Sequence, residues 1–169
     1  MGAPRRIRRP GAPGLLLVLL LVAPAAAADW GTIVPAASTM ETVRAHYGAP
    51  TRTVNEKVEG YDAARWVWEG AAAPAGVQRL AVEFGLLTPA GYRKDVVRAF
   101  RLEPKRGIFN RANVVGGWGL PTRTGEHVGG EVFLYEEGLI VYFDNEGRAT
   151  LLVFTPPQPP PAAASPTKP

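Results

Sequence analysis

The sequence contains no cysteine among its 169 residues. The chain therefore forms no disulfide, builds no thiolate metal site and carries no cysteine nucleophile. It also lacks the cysteine on which a bacterial lipoprotein is acylated, so we predict no lipid anchor. Histidine is nearly as scarce, because His46 and His127 are the only two. They stand in different sequence contexts without an i, i+4 partner, so we predict no metal site and no cofactor.

Long apolar runs are missing as well. The aliphatic run 15–22 has eight residues, whereas a membrane-spanning helix needs about 20. It follows four arginines and precedes the small residues 23–28, a pattern typical of a secretory signal peptide. We predict cleavage after Ala27 or Ala28, a periplasmic or secreted mature chain, and no transmembrane span in it.

An excess of positive charge is absent from the predicted mature chain. The whole sequence has 19 basic and 15 acidic residues, and four of the basic ones lie in the predicted signal peptide, which leaves 15 of each sign. A neutral chain lacks the basic surface with which proteins bind phosphate backbones. We therefore predict that nucleic acid is not a partner.

An internal repeat is the strongest pattern that is present. The segment 48–53, GAPTRT, returns 71 residues later as GLPTRT at 119–124, with five of six positions identical. A repeat at a fixed offset indicates one structural unit used twice.

Each copy begins with a predicted short helix. Thr39 and Asn110 are suitable N-caps, and Gly48 and Gly119, each followed by a proline, are typical helix ends. Apolar residues then alternate at the period of a strand. We predict an α+β fold of two tandem units, each a short helix packed on an antiparallel meander of three or four strands. The predicted strands are 65–68, 77–84, 96–102, 132–135, 139–143 and 150–154, and a further weak strand begins at each Thr-Arg-Thr.

The same pattern sets the predicted boundaries. The signal peptide covers 1–28, the first unit 29–102 and the second unit 103–155. Segments 70–76 and 85–95 are predicted long loops of the first unit. The Pro- and Ala-rich tail 156–169 is predicted to be disordered or extended, and we interpret it as a spacer, with a proline-rich ligand for a partner as the alternative.

Five residues are candidates for protein binding. Trp66 and Trp68 lie two apart on one predicted strand and share a face, and Tyr61 precedes them. They either fill a core beneath a helix or form an exposed aromatic patch for a protein partner. Arg52 and Arg123 are retained by the repeat. They either contact acidic groups of a partner or simply face solvent at a strand start.

Catalytic patterns are absent. Acidic residues gather at Glu56, Glu59, Asp62 and Glu69, but without the spacing of a carboxylate pair across a cleft, and a solvated loop explains them. There is no Gly-x-Ser-x-Gly motif. We predict no catalytic residue and no enzyme, and a hydrolase of envelope polymers is the least favoured alternative.

The repeated unit resembles a known module. A Ser/Thr helix start, a central valine and a closing Gly-x-Pro before a meander are similar to the outer-membrane-assembly lipoproteins of the SmpA/OmlA (BamE) type. Two units in tandem also resemble the secreted β-lactamase-inhibitor proteins. The residues that carry the resemblance are Ser38, Thr39, Val43, Gly48, Pro50, Asn110, Val114, Gly119 and Pro121.

The resemblance implies a protein of the cell envelope that binds other proteins, with support of outer-membrane protein assembly as the named example. The two-unit relatives imply an alternative, inhibition of a secreted or periplasmic hydrolase. The sequence departs from the module at Ala37 and Ile108, where a glycine is usual. No site residue follows from the resemblance.

Overall fold

The computed structural model describes residues 27–157. The predicted signal peptide, except for its last two residues, and the predicted tail from residue 158 onward lie outside the described residues. Within the described part of the chain, no helix has the length and apolar character needed to cross a membrane. The elements are α1 (Met40–Tyr47), β1 (Arg52–Val58), β2 (Tyr61–Glu69), β3 (Val77–Thr88), β4 (Gly91–Pro104), α2 (Arg111–Trp118), β5 (Arg123–His127), β6 (Gly130–Leu134), β7 (Leu139–Phe143) and β8 (Ala149–Phe154), with a 3-10 turn at Gly70–Ala72.

Both helices begin and end where the sequence predicts. The Thr39 side chain accepts a hydrogen bond from the amide three residues on, at 3.4 Å, and Asn110 does the same at 2.9 Å. Gly48 and Gly119 follow the last helical residues with φ of 73° and 82°. This left-handed region favours glycine, so the repeated Gly-x-Pro is a helix end followed by the start of a strand.

The eight strands form one antiparallel sheet in the order β1-β2-β3-β4-β8-β7-β6-β5. The predicted fold class, two tandem units that are each a short helix packed on an antiparallel meander of three or four strands, is therefore wrong, because the strands form one sheet. β4 and β8 join the two halves through three residue pairs, among them Phe100 with Phe154, whose rings stack 4.3 Å apart. A separate meander would leave the backbone groups of both strands unpaired at an edge, and this junction satisfies them.

Both helices lie on the same face of the sheet. Val43 of α1 and Val114 of α2 belong to one continuous buried cluster with side chains from both halves, so the strands and helices share a single core. We call this side the core face. Its fully buried sheet residues include Trp68, Leu80, Val82, Phe84, Phe100, Leu102, Leu139, Val141, Leu152 and Phe154.

One predicted long loop is a hairpin instead. Segment 85–95 contains the end of β3 and the start of β4, which are joined by a two-residue turn at 89–90, with Leu87 paired to Tyr92. The register shifts between Phe84 and Leu86. This β-bulge and the polar residues 93–95 interrupt the strict alternation by which a strand is recognised. The sequence pattern therefore does not predict the two strand ends that form the outer part of the hairpin.

Candidate protein-binding face

The side of the sheet opposite the helices, which we call the open face, is crossed by one row of paired residues. Residues in register on neighbouring strands point to the same face of a sheet. The row begins at Arg52 on the edge strand β1 and ends at Arg123 on the edge strand β5, and both arginines are exposed. The two arginines retained by the repeat therefore face the same side from opposite edges. In order, the row is Arg52, Val67, Ala81, Arg101, Val153, Ile140, Leu134 and Arg123.

The part of the open face formed by β6 to β8 is apolar. Strand β7, Leu-Ile-Val-Tyr-Phe, is apolar on both of its faces. The last four residues of β8, 151–154, are also apolar on both faces. Continuous apolar strands are typical of sheets that are covered on both sides, yet both helices cover only the core face. Apart from the buried Val132, the side chains that remain are half-buried. They form what we call the apolar patch: Val132, Leu134, Ile140, Tyr142, Leu151 and Val153.

The other half of the open face is charged and contains a buried carboxylate. Glu83 is only 6 % exposed and is the one buried polar or charged residue in the described part of the chain. Arg98 donates a hydrogen bond to one of its oxygens at 3.0 Å, and Arg101 donates to the other. The Nε of Arg65 lies 3.9 Å away. A buried carboxylate is stable only when it is paired in this way.

Glu56 extends this network on β1. Arg65 donates to Glu56 at 2.5 Å, and Arg98 lies 3.7 Å from the second oxygen of the same carboxylate. The side chains of Arg65, Arg98 and Arg101 are still 35 %, 25 % and 44 % exposed. We call these three arginines with their two glutamates the arginine cluster. Each guanidinium is held by a carboxylate and still reaches solvent.

A small pocket adjoins the arginine cluster at the β3–β4 hairpin. Tyr61, which is 41 % exposed, stacks on Tyr92 with 4.4 Å between the ring centres. The Tyr92 hydroxyl donates to the Asp62 carbonyl at 2.5 Å. Gly85 has a φ of +99°, and a Cβ at this position would overlap the Tyr92 hydroxyl, so glycine gives the ring its room. The pocket, which we call the tyrosine pocket, has a volume of about 240 Å³, and Val58, Glu59, Leu86, Leu87 and Arg98 also line it.

The predicted aromatic candidates separate into two groups. Trp66 and Trp68 share a face, as predicted, but it is the core face. Trp68 is completely buried and has no surface to offer a partner. Trp66 is half-buried, with its ring 4.8 Å from that of Phe84 and the Arg44 guanidinium 5.9 Å above it. Trp68 thus belongs to the core, and Trp66 packs against it while a binding role for its exposed part stays a prediction. Tyr61 lies on the surface, and its role in binding stays a prediction, as does that of Arg52 and Arg123.

A larger cavity lies elsewhere, at the ends of the β5–β6 and β7–β8 hairpins. It has a volume of about 770 Å³ and contains several titratable groups. Glu131 accepts a hydrogen bond from Arg111 at 2.5 Å, and His127 packs edge-on against Tyr142. His46 is in the other half of the chain, against Tyr47. Across residues 27–157 no three metal-ligating side chains come together.

Asp144, which also lines this cavity, organises the β7–β8 turn. One carboxylate oxygen accepts the amides of Arg148 at 2.9 Å and Glu146 at 3.0 Å, and the other accepts the Arg148 guanidinium at 2.9 Å. The hydrogen bond from the Arg148 amide is the main cause that lowers the pKa of the Asp144 carboxyl below its ordinary value. This carboxylate therefore has a structural role.

We expect Asp144→Asn to lower the melting temperature at pH 7. Because the pKa of Asp144 is lower in the folded than in the unfolded chain, its contribution is complete above the ordinary carboxyl pKa of about 4 and is lost as the pH falls through the folded value. The difference in melting temperature between wild type and variant should thus shrink as the pH falls below the ordinary carboxyl pKa. Thermal unfolding of both proteins, followed by circular dichroism at a series of pH values from 7 downward, measures this difference. Asp95→Asn, at an exposed position on β4, is the control, and a difference that persists in acid would contradict the assignment.

The sequence analysis missed the arginine cluster and the apolar patch. A signal for the patch was present, since 139–143 and 151–154 are unbroken apolar runs without polar alternation. The arginine cluster has no comparable signal. Glu83 stands between Val82 and Phe84 as an ordinary outward residue of an alternating strand, and its burial depends on arginines from β2 and β4.

Comparisons with models of protein families, with curated proteins and with solved structures each found no match. The resemblance to the SmpA/OmlA (BamE) module and to the β-lactamase-inhibitor proteins therefore stays a prediction.

Proposed function

We propose that this chain is a non-enzymatic protein-binding module that contacts its partner through the open face. The observation that carries the proposal is the apolar patch. Its strands are apolar on both sides, and the helices of the chain cover only one of them. Removing exposed apolar surface from water contributes about 25 cal/mol per Å², so a complementary partner surface is the natural cover.

The residues around the apolar patch support a protein partner. Interfaces are enriched in tyrosine and arginine and depleted in lysine. Tyrosine and arginine are also among the residues that contribute most of the binding energy. Tyr142 lies within the patch, Arg101 adjoins it in the row, and Arg123 closes its outer edge. An apolar centre with a charged rim is the usual layout of a recognition surface.

The cell envelope is the proposed location, on the basis of the predicted signal peptide and the resemblance to outer-membrane-assembly proteins. The proposed absence of catalysis is supported by the cavity at the β5–β6 and β7–β8 hairpins, where two of the three lining carboxylates, Glu131 and Asp144 but not Glu126, are held by arginines. A carboxylate fixed in an ion pair is not free to exchange a proton with a substrate. Inhibition of a secreted or periplasmic hydrolase uses the same face and differs in the identity of the partner.

A photo-crosslinking amino acid at Ile140 is expected to give a discrete covalent adduct in the producing cell. Ile140 lies in the middle of the apolar patch. Val128, in the turn between β5 and β6 of the same half and 94 % exposed, is the control, and its adduct should be absent. Mass spectrometry identifies the partner: an outer-membrane assembly component supports the envelope role, and a hydrolase supports the inhibitor alternative.

A second crosslinking position makes the test decisive. Val153 neighbours Ile140 in the row across the open face, so it should capture the same partner. Absence of an adduct from both positions, or equal labelling from Val128, contradicts binding through the open face.

A further inference from the structure

The arginine cluster carries more hydrogen-bond donors than its own carboxylates can accept. Its three guanidiniums face two carboxylates, which leaves one positive charge in excess among these five side chains. Glu59 lines the adjoining tyrosine pocket together with Arg98 but forms no ion pair within the cluster. Each guanidinium has five N–H donors and each carboxylate about four acceptor sites, roughly fifteen donors against eight acceptors. The Nε of Arg65 is buried without a hydrogen-bond partner. A further carboxylate would match both the charge and the spare donors.

The cluster is also held in place before any partner arrives. Glu83 is buried on the central strand β3 and ties Arg98 and Arg101 to one position, and Glu56 ties Arg65. Long side chains lose conformational entropy when binding immobilises them. Arginines already fixed by carboxylates lose less, which favours binding of a planar carboxylate by two parallel hydrogen bonds.

Arg98 connects the cluster to the tyrosine pocket, because it binds Glu83 and also lines the pocket. The pocket is mainly apolar, with Tyr61 stacked on Tyr92 and Leu87 51 % exposed beside them. Its volume of about 240 Å³ is below the roughly 300–1,000 Å³ of sites for drug-sized ligands. It therefore suits one apolar side chain of a larger molecule.

We infer that the arginine cluster and the tyrosine pocket together accept a segment of a protein partner that carries a carboxylate side chain next to an apolar anchor. The carboxylate binds Arg98 and Arg101, and the apolar side chain enters between Tyr61 and Leu87. This inference rests on the proposed function, since it assigns the chemistry of the partner that the open face contacts. A carboxylate is favoured over a phosphate backbone, because one net positive charge is a small attraction for a polyanion.

A phage library of random dodecapeptides selected on the full chain provides the probe. Recovered peptides should be enriched in Asp or Glu next to Leu, Ile, Phe or Pro. Binding of one such peptide is then measured by fluorescence anisotropy, together with a version in which its acidic residue is an amide. The amide version should bind about tenfold more weakly, because a hydrogen bond to a charged group contributes about 1.5–3 kcal/mol.

Variants of the chain locate the peptide. Arg98→Gln and Arg101→Gln should each weaken its binding about tenfold. Arg79→Gln is the matched control, because Arg79 lies on the open face and is 34 % exposed but pairs with Glu69 and Glu103 outside the cluster; its affinity should stay within about twofold. Leu87→Ser tests the pocket at an exposed position. Melting temperatures of all variants show that they are folded.

Three results would overturn the inference: selected peptides without acidic enrichment, affinities unaffected by both Arg98→Gln and Arg101→Gln, or a twelve-nucleotide single-stranded DNA that binds as tightly as the peptide. The crosslink at Ile140 separates this failure from failure of the proposed function. If the adduct persists while the peptide test fails, the open face binds a partner of different chemistry. If the adduct is also absent, the proposed function itself is wrong.

Discussion

Replacement of Trp68 by alanine is expected to lower the free energy of unfolding by about 3–5 kcal/mol. Trp68 is completely buried on β2, and its ring lies 6.1 Å from the rings of both Trp66 and Tyr47. It therefore connects the sheet to α1, and truncation leaves a large cavity beneath that helix. The cost combines the lost burial of the ring with the unfilled space.

Urea denaturation of the intact chain measures this effect. Leu120→Ala, at a position that is 83 % exposed, is the control and should change the free energy of unfolding by less than about 0.5 kcal/mol. A Trp68→Ala variant with the wild-type midpoint would contradict the core assignment.

A conservative variant separates the core role from the binding role that the sequence suggested. Trp68→Phe keeps most of the apolar volume and removes an indole N–H that is buried without a hydrogen-bond partner, so it should be milder than Trp68→Ala. Because Trp68 points to the core face, affinity for the selected peptide should not change. A loss of affinity in a folded Trp68→Phe variant would restore this residue as a binding candidate.

The features that the sequence predicted correctly are local. The caps Thr39 and Asn110 and the helix ends at Gly48 and Gly119 depend on residues within one turn, and local patterns encode such ends. The shared face of Trp66 and Trp68 follows from the period of a strand. Which of two faces a helix will cover is decided by tertiary packing, so the alternation by itself left both a core position and a surface position open for the pair.

The features that could not be predicted from the sequence depend on pairing between strands that are far apart in the chain. The repeat indicates that one unit is used twice, but it contains no signal for how the copies meet. The junction is formed where β4 and β8 pair at Phe100 and Phe154, residues that lie in different copies. The arginine cluster also depends on pairing between strands, because its members come from β1, β2, β3 and β4 of the first copy. By contrast, the repeat did identify Arg52 and Arg123, and the sheet places both on one row.

The predicted units 29–102 and 103–155 are expected not to fold as separate chains. In the first fragment, Phe100 and Leu102 lose Phe154 and Leu152 from the paired strand β8, and all four side chains are completely buried in the intact chain. Exposing such side chains costs about 1.5–3 kcal/mol each, a large part of the 5–15 kcal/mol that stabilises a typical domain. Both fragments would also present an unpaired edge strand, which favours aggregation.

The residues that precede α1 add a second connection between the halves. Ala28 donates its amide to the Glu137 carbonyl at 2.8 Å, and the indole of Trp118 donates to the Asp29 carbonyl at 3.4 Å. Residues that precede the first helix thus bind the β6–β7 turn and the second helix. The second fragment lacks them, so it loses contacts at two places rather than at the sheet junction alone.

Circular dichroism and urea denaturation of the intact chain and of each fragment test this expectation. The intact chain should unfold in one cooperative transition, and neither fragment should show one. Two substitutions at adjacent positions of β8 test whether the junction is the cause. Phe154→Ala, at the junction, should lower the free energy of unfolding by about 3–5 kcal/mol. Val153→Ala, half-buried on the open face, should lower it clearly less. A fragment 29–102 that unfolds cooperatively on its own would show that the repeat marks true domain boundaries and that the β4–β8 junction is dispensable for folding.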